Sequence, residues 1–111
     1  VKEIIFSPAE IEISGEKIKN PFKGSMTLSL MKYKERIEYI QKMDVGDGKE
    51  SSAAGKMIDL VYERCTKVDL VYEPTNTQYT NLDDLGYSVE GSSLINEAGK
   101  ALIAGYKLGN S

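Results

Sequence analysis

The sequence predicts an α+β fold, an N-terminal β-hairpin followed by a predominantly helical domain of about three helices. Two observations carry this. Residues 9–19 alternate apolar and polar side chains around Gly15, which is the period of a strand pair. Residues 29–43, 53–66 and 92–104 instead repeat apolar side chains at steps of three and four, the period of an amphipathic helix. A chain of 111 residues is expected to form one domain, with 1–28 as hairpin and lead-in and 29–111 as the helical part.

Val1 to Phe6 reads as a short apolar strand stopped by Pro8, which cannot donate to a ladder. Ile11 and Ile13 then share one face of an extended segment, with Glu10, Glu12 and Ser14 on the other. Gly15 supplies the turn and Ile18 is the next inward residue, which completes a hairpin. Asn20-Pro21 breaks the pattern. Met26 and Leu28 are expected in a brief extended lead-in.

The chain is organised around Ser29–Met43, SLMKYKERIEYIQKM. Leu30, Tyr33, Ile37 and Ile40 fall on one side of a helix, and Tyr39 and Met43 widen that stripe toward a core. Ser29 or Thr27 is the expected N-cap. Glu38 and Lys42 stand four apart in the favourable order, a pair that contributes about 0.2–0.5 kcal/mol. Asp44–Ser52 is loop by composition. It lacks the spacing of a phosphate-cradling loop around Gly55-Lys56, because Glu50 and Met57 stand at two required positions. Counted from Asp44, the calcium-loop positions three and twelve are both glycine, so that motif fails too.

A second helix is expected over Ala53 to Thr66, capped by Ser51 or Ser52, with Met57, Ile58, Val61 and Cys65 buried. Val68, Leu70 and Tyr72 then alternate as a strand, while Val61, Cys65, Val68 and Tyr72 also keep helical spacing. The β-branched density favours an extended segment after Thr66, and Pro74 ends it in either case. Thr75–Thr80 reads as polar turn, and Asn81 as the cap of one helical turn, Leu82–Leu85, closed by Gly86. The last helix starts at Ser92 or Ser93 and points Leu94, Ile95, Ala98, Leu102 and Ile103 inward. Gly99 inside it costs about 1 kcal/mol relative to Ala, which predicts a close helix contact there. Gly105 is the expected stop, with Tyr106 and Leu108 folding back.

Composition narrows the chemistry. A formal charge of −3 disfavours a nucleic-acid binder, which needs a basic surface. No apolar run approaches the ~20 residues of a membrane span, and no leader pattern opens the sequence. One cysteine, Cys65, cannot form an internal disulfide, which fits a reducing cytoplasm. The sequence has no histidine, so the commonest general base and zinc ligand are missing. Carboxylates and lysines remain, but no spacing singles out a catalytic pair. The expectation is a non-enzymatic protein without cofactor or metal.

The order of parts is a hairpin, then T-L-S-L before R-I-E-Y-I-Q, then a second helix. A short D-D-L segment follows, and a final I-N-E-A-G-K-A-L-I-A-G-Y-K-L-G. This order resembles the tail assembly chaperones of long-tailed bacteriophages, most closely over Thr27–Ile40 and Asp83–Gly109. The resemblance implies a helper in the host cell cytoplasm that coats the helical tape measure protein until tail tube protein assembles around it. This chain would correspond to the short form of two that such families often make. The resemblance transfers no residue-level map. The alternatives are a structural virion protein of the tail or head–tail connector, and a small partner-binding regulatory protein.

The partner surface is expected from adaptable apolar side chains near the first helix, namely Met26, Met31, Tyr39 and Met43. Met31 lies off the main stripe and is the leading candidate. Seven tyrosines in a chain this small, and the enrichment of tyrosine at interfaces, predict a homo-oligomer.

Overall fold

The computed structural model describes residues 2–44 and 50–104, and the side chains of 2–42 and 55–104. Strands β1 (Glu3–Phe6), β4 (Phe22–Ser29), β5 (Cys65–Tyr72) and β6 (Thr77–Tyr79) form one antiparallel sheet in the order β1-β4-β5-β6. Strands β2 (Glu10–Ile13) and β3 (Glu16–Lys19) form a separate hairpin between β1 and β4 in sequence. Helices α1 (Tyr33–Asp44) and α2 (Glu50–Arg64) lie between β4 and β5. The short α3 (Leu82–Leu85) and the long α4 (Val89–Ala104) follow β6.

The predicted hairpin forms, with Ile11 opposite Ile18 and Ile13 opposite Glu16, but Ile18, expected inward, is exposed. Ser14 and Gly15 both have positive φ, 52° and 83°. A two-residue connection of that kind matches the twist of the flanking strands, and glycine enters it without strain. Only Ile11 is fully enclosed, because β2 packs on α4 while β3 is exposed along its length.

The α+β class holds, but the chain is not a hairpin followed by a helical domain. The brief lead-in at Met26–Leu28 belongs to β4, a strand of 8 residues paired on both sides. Phe22, Met26 and Leu28 alternate inward along it, and Val68 and Leu70 do so along β5. The sheet therefore draws on both sides of residue 29. Its inner face meets Leu60 and Val61 of α2, Leu82 and Leu85 of α3, and Leu94, Ile95, Ala98 and Leu102 of α4 in one apolar core. At the far end of the sheet Phe22 packs against Tyr72 and Tyr79, with ring centres 5.3 and 6.0 Å away.

Helix boundaries shift for identifiable reasons. Ser29 and Thr27 stay in β4, so they cap nothing, and α1 starts at Tyr33. Its cap runs the other way round: the Glu35 carboxylate reaches back to accept the Lys32 N–H at 3.1 Å. Ser51 and Ser52 lie inside the first turn of α2. Cys65 opens β5 rather than closing α2. The last helix begins earlier than expected because Ser88, not Ser92 or Ser93, accepts the Gly91 N–H at 2.9 Å. Thr75–Thr80 is not all turn, since it contains β6.

Other expectations stand. Asn81 caps α3 by accepting the Asp84 N–H at 2.8 Å, and Gly86 follows directly. Val68, Leu70 and Tyr72 are in a strand, and Leu94, Ile95, Ala98 and Leu102 face inward. The expected loop loses Asp44 to α1 and residues 50–52 to α2. Its remainder, 45–49, lies outside the described residues, as do Gly105, Tyr106 and Leu108.

Candidate partner-binding surface

The sequence pointed to four side chains around the first helix, and the structure separates them. Met26 sits in the middle of β4, opposite Phe6 on one side and Val68 on the other, and is 0% exposed. It is a core residue and offers no contact surface. Its inward position follows from strand alternation, which a brief lead-in would not impose. Met31 follows the end of β4, where the Leu30 N–H donates to the Lys2 carbonyl at 2.7 Å. It is half-buried against the core. Met43 belongs to α1, but its side chain lies outside the described residues.

Tyr39 and Met31 come together in a shallow cleft of about 200 Å³ between α1 and α2. The Tyr39 hydroxyl donates to the Lys56 carbonyl on α2. Burial, with Asp59 and Glu63 nearby, pushes that phenol above its ordinary range, so it stays a neutral donor. At the other end of the cleft Arg64 of α2 pairs with Glu35 of α1 at 3.0 Å and approaches the Leu30 carbonyl at 3.4 Å. The Lys32 N–H, aided by Arg64, holds the Glu35 carboxyl below the usual carboxylate range. The cleft is thus a shallow seam whose two ends are fastened by these contacts between α1 and α2.

A second surface, missed in the sequence, lies on the opposite flank of α2. Ile58 was expected in the buried stripe, yet it is 38% exposed, and Tyr62 one turn later is 47% exposed. Leu60 and Val61 fill the core instead, which rotates the buried arc of α2 away from Ile58. Ile58 and Tyr62 line a groove of about 210 Å³ with Gly86 and with Ser92, Ile95 and Asn96 of α4. Tyr87, next to Gly86, and Val89, three residues before Ser92, are 89% and 63% exposed. The available signal was the G-Y-S-V run at 86–89, which sets Tyr87 in the turn and Val89 at the first position of α4, ahead of its buried stripe.

Tyr62 is fixed at the groove's end by donating to Asp83 at 2.8 Å, and that bond raises its pKa. Beyond it, a cleft of about 310 Å³ reaches Cys65, Lys67 and Asn81. Cys65 donates to the Lys67 carbonyl at 3.4 Å, and burial pushes the thiol up, which opposes a nucleophilic thiolate. Among the described residues no group of three His, Cys, Asp or Glu could hold a metal ion. No described helix is long and apolar enough to cross a membrane.

Comparison with protein-family models, with curated proteins and with solved structures finds no match to this chain.

Proposed function

We propose that this chain is a non-enzymatic tail assembly chaperone of the kind made by long-tailed bacteriophages. On this reading it works in the host cell cytoplasm, holding a tape measure protein until tail tube protein takes its place. The observation that carries the reading is the sequence resemblance over Thr27–Ile40 and Asp83–Gly109. The exposed apolar and tyrosine side chains on α1, α2 and the start of α4 support it, since a helper of this type works by contact alone. A homo-oligomer is part of the same reading.

The test is co-expression with a tape measure protein from the same genome. The chain should keep that protein soluble, co-purify with it and release it when tube protein polymerises. Met31→Asp, first shown to melt at an unchanged temperature, should weaken capture. A tape measure protein equally soluble with and without the chain would end the reading. Recovery of the chain in stoichiometric amounts from purified particles would replace it with a structural role in the tail or connector.

A further inference from the structure

Two of the seven large apolar side chains exposed among the described residues, Ile58 and Tyr62, line the α2–α4 groove, and the exposed Tyr87 directly follows Gly86 of its wall. Val89 shares a helix face with Ser92 and Asn96, at spacings of three and seven. Tyr87 lies close enough to Tyr62 to disfavour its ionisation. The flank is also acidic. Glu90 turns to Tyr72 and Glu97 to Lys100 and the β2–β3 side, so the acids at this flank are Asp83 and Asp84. Glu97 has Lys100 at 3.3 Å, whereas among the described residues Asp83 and Asp84 accept from the neutral Tyr62 and Asn81, with Lys67 lining the same cleft as Asp83. The cations of α2 are turned away: Arg64 pairs with Glu35, and Lys56 reaches the Lys42 carbonyl, both on α1.

The opposite character sits at the start of α1. Lys32, Lys34 and Arg36 cluster there, while Glu35, the acid among them, is held by Arg64. Tyr33 is 71% exposed and carries the Arg36 guanidinium 5.5 Å from its ring centre, a cationic aromatic knob. Ile37 and Ile40 extend it at helical spacing. They are half-buried, and the described core takes in Leu30, Met31 and Tyr39 at its edge but not these two.

We propose that a second copy of this chain occupies the α2–α4 groove, inserting Tyr33 and Arg36 of its α1 against Ile58, Tyr62, Asp83 and Asp84. Within one copy the two patches lie on opposite flanks of α2, so neither can satisfy the other. Each copy then presents one knob and one groove, which makes the contact heterologous. A heterologous contact closes into a ring or propagates head to tail, and does not stop at a dimer. The inference assigns an interface to the homo-oligomer of the proposed function. It is tested on the chain alone, so its failure and the failure of tape measure capture are read separately.

Two exposed pairs of substitutions test it by sedimentation velocity. Tyr33→Glu with Arg36→Glu removes the knob, and Ile58→Lys with Tyr87→Lys removes the groove; both should keep the wild-type melting temperature. Wild-type chain should pass from 12.3 kDa through dimers to larger species with concentration, less readily as salt is raised. Each double variant should be monomeric, with association weakened at least about tenfold. Mixed in equal amounts, the two variants should form a dimer and nothing larger, because one intact knob meets one intact groove. The proposal is overturned if wild type stays at 12.3 kDa up to about 1 mM, a limit that marks negligible affinity. Oligomers that persist in either variant, or a mixture that remains monomeric, would overturn it equally. Association that appears only after removal of residues 105–111 would give the groove to the chain's own end and would also overturn it. If either pair lowers the melting temperature, Tyr33→Ala and Tyr87→Ala replace them under the same criteria.

Discussion

The side-chain amide of Asn20 donates to the carbonyl of Pro8 at 2.8 Å, across the base of the β2–β3 hairpin. The same side chain accepts the Phe22 N–H at 3.0 Å, and the Asn20 backbone N–H donates to Ala9. One buried residue thus closes the hairpin and aims the chain into β4. Asn20→Leu keeps the size but leaves the Phe22 N–H without its partner, and a buried unmet donor costs about 1–3 kcal/mol. Chemical denaturation should show a loss in that range, and an unchanged midpoint would mean that the hairpin base is held by the backbone alone.

Gly99 of α4 faces Met57 of α2 so closely that a methyl group there would come within 2.5 Å of the Met57 Cγ. Alanine would gain about 1 kcal/mol of helix propensity, yet must displace a side chain wedged between two helices. Gly99→Ala is therefore expected to destabilise despite its propensity. Met57→Ala should relieve the clash, so the double variant should be more stable than the sum of the singles predicts. A coupling of about 0.5–3 kcal/mol in the cycle is the expected reading; strict additivity would place the contact elsewhere.

Stability should fall at both ends of the pH range. Glu35, held by the Lys32 N–H and Arg64, and Glu90, accepting from Tyr72 at 2.8 Å, both have lowered pKa values. A lowered folded value means stability that is full above the unfolded carboxylate value of about 4.3 and lost as pH drops through the folded one. Tyr39, Tyr62 and Tyr72 are raised, so their contribution is full below about 10 and lost as pH climbs through their folded values. Melting temperature against pH should thus show a plateau with acid and alkaline limbs. Tyr72→Phe should flatten both, because it removes one hydrogen bond that shifts both partners.

What the sequence revealed depended on whether a residue's role was decided locally. Asn81 with Leu82–Leu85, the turn at Gly15 and the inward face of Leu94–Leu102 are set by near neighbours, and all appear as expected. Residues 22–29 are strand because β1 and β5 pair with them, and both partners are distant in sequence. The α2–β5 junction has no turn residue at all: Arg64 ends the helix, Cys65 starts the strand, and a register shift opposite Thr27 and Leu28 absorbs Thr66. The exposed groove was hidden for a related reason. Ile58 fits a buried stripe by spacing, and only the packing of Leu60 and Val61 decides which arc of α2 faces inward.

The first helix gives the last prediction, because its stripe and its packing disagree. Helical spacing puts Ile37 and Ile40 on an apolar face that ought to be core, alongside Val61 and Leu102. Val61 and Leu102 are fully enclosed, whereas Ile37 and Ile40 are half-buried and outside the main apolar cluster. The part of α1 that does meet the core edge is Tyr39, which is fastened to α2 through the Lys56 carbonyl. Leu102→Ala empties a site with little room to collapse and should cost about 2–5 kcal/mol. Ile37→Ala removes atoms that already meet water and should cost about 1 kcal/mol, scaled down from full burial. Urea denaturation of the two variants at equal slope measures the ratio. Equal costs would show that α1 is held as firmly as α4 and that its outer stripe is enclosed in solution, which would also remove the knob from the surface that a second copy needs.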